Sequence, residues 1–222
     1  MAMMKRKVFK LELSKDGYQN IRSGILENRY STTKSKGFTL DYSNEFGTKG
    51  AYIVSENIKE KIELPNGSEI EISRPIVLII KFRIQFKSPQ FLELIDPPRS
   101  ARGLISQLEL LSNFSISITA PNLIIEKFSV RASQVVGELT AHKISIQSIS
   151  LSEQTIATAS IRSSKDAIRE AKAVFNDRNF KINKATFKNQ NGVMEVGCNG
   201  AIATSDGFFS EAIDQLINIV IE

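Results

Sequence analysis

The segment Ile76-Val77-Leu78-Ile79-Ile80-Lys81-Phe82-Arg83-Ile84-Gln85-Phe86-Lys87 constrains the fold of this chain more than any other. From Ile80 onward the residues alternate. Ile80, Phe82, Ile84 and Phe86 fall on one side of an extended chain, and Lys81, Arg83, Gln85 and Lys87 on the other. That period belongs to a strand buried on one face and wet on the other, the habit of antiparallel sheets. The first half, Ile76 to Ile80, is apolar on both faces. Before it, Asn66-Gly67 stands between Ile62/Leu64 and Ile70/Ile72. This dipeptide tolerates positive φ and predicts a hairpin.

Helical spacing follows. Ala101, Leu104, Ile105, Leu108 and Leu111 form one stripe over Ser100–Leu111, with Ser100 as the expected cap and Pro97-Pro98 holding the preceding chain extended. Asn113 to Val130 reads as two strands around a turn at Ala120-Pro121-Asn122, and Asn179 to Ala203 as two strands turning at Asn191-Gly192. Between them lie strands near Lys143–Ile149 and Thr155–Arg162, then a helix from Asp166 to Asn176. Phe209, Ile213, Leu216, Ile217 and Val220 mark a closing helix over Phe208–Ile221. In the first 60 residues, Val8–Leu13 alternates as a strand, Gly17–Asn28 suits a short helix, and two short strands follow a loop. The expected class is α+β, a largely antiparallel sheet with three or four helices. The two Asn-Phe-x-Ile starts, at Asn113 and Asn179, suggest two related strand–helix–hairpin halves. The expected boundary gives residues 1–132 and 133–222, or one continuous domain.

At 222 residues the chain can bury a substantial core, and 41% hydrophobic with 24% charged residues is an ordinary globular composition. No apolar run approaches the roughly 20 residues of a membrane span, so no membrane partner is expected. The basic start, Met1 to Lys7, has no apolar stretch after it and does not read as a secretory signal. One cysteine, Cys198, allows no internal disulfide, which agrees with a cytoplasmic setting. The net charge is +5, and the first 60 residues hold most of it, with 11 Lys and Arg against 7 Asp and Glu.

Catalytic readings fail on inventory. A single histidine, His142, and a single cysteine rule out multi-histidine and Cys₄ or Cys₂His₂ metal sites. There is no Gly-x-Ser-x-Gly elbow, no phosphate loop and no dinucleotide fingerprint. Cys198, in Gly197-Cys198-Asn199-Gly200, reads as a packed thiol, and the glycines as strand irregularity. Glu69/Glu71 and Asp166/Glu170 are paired acids without a partner that would tune them. Neither an enzyme nor a cofactor is expected.

A basic constellation remains. Lys81, Arg83 and Lys87 share the wet side of the long strand, and Arg99 and Arg102 stand at a helix start, where free N–H groups and the helix dipole favour anions. Together these five could follow a phosphate backbone. Against that stands pairing of the strand's cations with Glu69, Glu71 or Glu93, and no aromatic residue interleaves with them to stack bases. The expected function is a non-catalytic binding module for nucleic acid. The alternative is a protein–protein or assembly subunit, working through a sheet edge or the apolar face of the C-terminal helix with Phe208 and Phe209.

Overall fold

The computed structural model describes residues 3–65, 67–152, 155–175, 179–205, 207–208 and 210–221. In chain order the elements are β1 (Met4–Leu13), α1 (Lys15–Glu27), β2 (Lys36–Ser43), β3 (Gly47–Glu63), β4 (Glu69–Gln85), β5 (Phe91–Ile95), α2 (Arg102–Leu111), β6 (Ile116–Thr119), α3 (Ile125–Val136), β7 (Thr140–Ser152), β8 (Thr155–Arg162), α4 (Ala167–Phe175), β9 (Lys181–Asn189), β10 (Gly192–Gly197), β11 (Ala201–Thr204) and α5 (Ser210–Ile221). The strands form one sheet in the order β2-β3-β4-β5-β1-β11-β10-β9-β7-β8, and β6 also pairs with β1. All of these pairings are antiparallel.

β1 is the seam. Arg6–Lys10 pair with β5 on one edge, while Met4–Lys7 pair with β11 and Lys10–Leu13 with β6 on the other. Alternation then sends its side chains into two different cores. Leu11 joins Ile80, Phe82, Ile84, Leu92 and Leu94 beneath α1 and α2. Val8 joins Phe187, Met194, Val196 and Ile202 beneath α3, α4 and α5. The two helix layers therefore cover opposite faces of one sheet. We call the α1/α2 side the front and the α3/α4/α5 side the back.

In the first half, β1-α1-β4-β5-α2-β6 follows a split β-α-β-β-α-β path, into which the β2–β3 strands are inserted. Ser14 caps α1, its side chain accepting from Gly17 N at 3.0 Å. The alternation read in Ile80–Phe86 is realised: Ile80, Phe82 and Ile84 are fully buried, and Phe82 meets Phe38 edge-on with ring centroids 5.9 Å apart. The predicted hairpin is present too. β3 and β4 pair from Gly47↔Gln85 to Glu63↔Glu69, and Gly67 takes φ 77° in the turn; Asn66 lies outside the described residues.

Among the described residues five helices form, where three or four are expected. The extra one is α3, in a stretch read as a strand. Leu123-Ile124-Ile125 looks β-forming, but Ile125, Phe128, Ala132 and Val136 recur at helical steps and are all buried. Asn179–Ala203 holds three strands instead of two, because Gly200 at φ 84° turns the chain between β10 and β11. α2 starts one turn position later than expected: Ala101 is its N-cap, without a side-chain cap bond. The sheet runs unbroken from residues 1–132 into 133–222, and position 132/133 lies inside α3. The stripe on α5 is consumed internally, with Phe208, Ile213, Leu216, Ile217 and Val220 all buried; Phe209 lies outside the described residues.

One buried charge ties the back layer to the seam. Glu93 of β5 is 0% exposed and lies on the back face between two arginines, Arg6 of β1 and Arg83 of β4. Arg83 reaches further, its Nη2 donating to Asp214 Oδ1 of α5 at 2.7 Å. Removing the carboxylate would leave two guanidinium groups facing each other in a poorly hydrated place. Glu93→Ala is expected to lower the unfolding free energy by about 3–5 kcal/mol, read from urea denaturation.

Candidate functional site

Each half of the sheet has one covered face and one open face. On the back of the first half, paired residues share a side, so Lys49, Lys81, Arg83, Gln85 and Glu93 project together. The cations there are largely engaged. Arg83 Nε donates to Glu93 Oε2 at 2.6 Å and Nη2 to Asp214, and its guanidinium lies 5.3 Å from the Phe91 ring centroid. Burial alone would lower the Arg83 pKa, but the hydrogen bond it donates to Asp214 and the charges of Glu93 and Asp214 outweigh it and raise the value. Lys49 lies 3.9 Å from Asp41, and Lys87 Nζ sits 3.7 Å over the Phe46 ring. Lys81 is exposed and makes no ion pair with a described residue.

Arg99 and Arg102 belong to the other side. The loop Pro97–Ala101 leads into α2, which covers the front of the first half. The five expected site residues are thus divided between two faces of the sheet, and they form no single surface. Arg102 is exposed in the first turn of α2, with Ser100 Oγ 3.5 Å from its backbone N.

Arg99 does reach a site, one that sequence reasoning missed. A cleft of about 540 Å³ opens on the front where the α1/α2 layer stops at β1. The loop with Pro97, Pro98 and Arg99 forms one wall, and the floor is Lys5, Lys7, Phe9, Ala201 and Ala203, with Lys184, Glu195 and Asn199 beyond. Lys7 Nζ donates to Asn199 O at 2.7 Å. Partial burial lowers the Lys7 pKa, and the nearby Cys198 works in the other direction. Cys198 is itself held, its Sγ donating to Asn183 Oδ1 at 3.0 Å.

From this cleft the open front of the second half extends to β8. Register lines up one row of residues across six strands: Lys5, Ala203, Glu195, Thr186, Lys143 and Arg162. A second row holds Gly197, Lys184, Ser145 and Ser160, and Lys188 stands opposite Val193 and Thr140. Adjacent strands are ~4.8 Å apart, so the row spans about 24 Å. Lys5, Lys7, Lys143, Arg162, Lys184 and Lys188 face one acid in these rows, Glu195, which pairs with Lys184. Small side chains separate the cations: Ala201, Ala203, Gly197, Ser145, Ser160 and Thr186. The second half places its large residues on the back, and the front carries what water tolerates.

Two signals for this face exist in the sequence. Lys184 and Lys188 alternate with the buried Ala185 and Phe187 in β9, and the basic N-terminal run is a strand with Lys5 and Lys7 on one side, Arg6 and Lys10 on the other. Neither becomes a surface until the register is known. His142 is exposed on β7. Among the described residues no cluster of three or more His, Cys, Asp or Glu could hold a metal ion, and no helix is long and apolar enough to cross a membrane. The chain matches no protein-family model, and no curated protein is detectably similar to it in sequence.

Two cations of this one back face respond differently to truncation. Arg83→Met removes half of the clamp on the buried Glu93 and is expected to cost about 2–4 kcal/mol in urea unfolding, whereas Lys81→Ala leaves the transition midpoint unchanged.

Proposed function

We propose that this protein is a non-catalytic binding module whose ligand is the phosphate backbone of a nucleic acid. The site is the open front of the second half, from the Arg99 cleft to Arg162. The observation that carries the reading is the charge distribution on a helix-free sheet face: six cations from β1, β7, β8 and β9 against the single carboxylate of Glu195. Cations at many points along a face about 24 Å wide suit a repeating polyanion better than one small anion.

Small neutral side chains between the cations let a backbone lie close, and they supply little base-edge recognition. Phe9 is the one aromatic residue lining the cleft, so stacking contributes little and affinity rests on phosphate contacts. Binding of this kind is nearly independent of sequence and strongly dependent on salt.

The test is fluorescence anisotropy with labelled single-stranded RNA, single-stranded DNA and duplex over a salt series. For single strands, six phosphate contacts give a slope of log K against log salt of about −4. The triple variant Lys143→Ala, Arg162→Ala, Lys188→Ala is expected to flatten that slope by about 0.7 per contact removed, roughly 2 in all. Lys81→Ala on the opposite face, combined with Lys87→Ala just past the end of β4, leaves it unchanged. Failure to bind any of these nucleic acids at low salt, or equal losses from both faces, contradicts the assignment.

A further inference from the structure

The β3–β4 hairpin outruns the sheet. β2 pairs with β3 only as far as Val54, and β5 pairs with β4 only from Lys81. Nine residue pairs, from Ser55↔Val77 to Glu63↔Glu69, continue without a neighbouring strand on either edge. At ~3.3 Å per residue this arm extends about 30 Å. A two-stranded ribbon alone is marginal in water, and its free edges invite pairing.

Its composition is not that of a solvated ribbon. The buried front-face column of Tyr52, Ile80, Phe82 and Ile84 continues outward as Leu78, Ile76, Ile58, Ile72, Ile62 and Ile70, all on the same side by register. These six are 36–42% exposed. They leave on the order of 400 Å² of contiguous apolar surface, within the range of patches that mark interaction sites. The other side is mostly polar and internally paired, Lys59 with Glu71 at 2.7 Å and Lys61 with Glu69 at 3.0 Å. Three cations against five acids make the arm acidic, although the chain as a whole is basic. An acidic ribbon does not suit a nucleic acid or an anionic membrane.

We infer that the apolar side of this arm is a dimerisation surface whose occupant is the arm of a second copy of this chain. A twofold contact needs a surface complementary to itself. The apolar column meets that requirement for its isoleucines, and its charges meet it as well. Glu60 and Arg74 lie on this same side, where Arg74 Nη2 donates to Glu60 Oε1 at 2.5 Å within one chain. Antiparallel stacking of two arms sets Arg74 of each copy against Glu60 of the other. Two such faces bring about 800 Å² of apolar surface together, and Glu56, Glu60 and Arg74 on the same side add to it, towards the roughly 1,200 Å² of a small specific interface. The front of the second half stays open in this arrangement, so a dimer presents two basic faces to one polyanion.

The test is sedimentation equilibrium on the full chain, freed of nucleic acid at high salt. The wild type is expected to be a dimer, and Ile72→Glu a folded monomer with association at least tenfold weaker. Glu60→Arg and Arg74→Glu each weaken association alone, since one variant presents two cations and the other two acids at these positions. An equimolar mixture of the two is expected to form a heterodimer, because the opposite charges then meet between chains. A wild type that stays monomeric, open-ended assembly, a dimer that survives Ile72→Glu, or a mixture that behaves as the sum of its parts overturns the inference.

Discussion

The pairing of β1 with strands on both of its edges is the constraint from which the rest of the structure follows. Its residues alternate into two cores, Val8 to the back and Leu11 to the front. A single strand cannot offer both helix layers the same side while feeding both cores. The layers therefore cover opposite faces of adjacent halves, and beyond the contact of α5 at Arg83 each half keeps one face without a helix layer among the described residues. The open faces exist because the two halves share a strand.

What each open face became depends on its acids. On the back of the first half, Glu93 and Asp214 hold Arg83, and Glu93 also holds Arg6. That cluster joins β1, β4, β5 and α5, so its charges serve cohesion. On the front of the second half, the one ion pair among the described residues of these cations is Lys184 with Glu195. The same residue types thus play opposite roles, and the distinction lies in cross-strand partners that sequence distance conceals: Arg83 and Asp214 are 131 positions apart.

Much of the fold was legible because period and turn chemistry are local. The Ile80–Phe86 alternation, the Gly67 and Gly192 turns and the stripes of α1, α2, α4 and α5 all follow from neighbours in the chain. The misreadings have physical causes. Three apolar residues at Leu123–Ile125 mimic a strand until the spacing of Phe128, Ala132 and Val136 is given more weight. The turn at Gly200 looks, from its neighbours in the chain, like irregularity inside one strand. For the site, alternation puts Lys81, Arg83 and Lys87 on one side of the strand, and the structure has Lys81 and Arg83 together, but the availability of Arg83 depends on Glu93, buried one strand away. The basic face assembles residues from Lys5 to Lys188, and no local pattern announces it. The exposed side of Ile76–Ile79 was equally hidden, since an apolar run reads as core whether or not anything covers it.

The central claim is that the working surface is the front of the second half. Amide hydrogen exchange on the protein with and without a saturating single-stranded oligonucleotide tests it most directly. Slowed exchange confined to β1, β9, the β7–β8 pair and the Pro97–Ala101 loop is the outcome this account requires. Slowed exchange centred instead on β3, β4 and α5, with the second half unaffected, would contradict it.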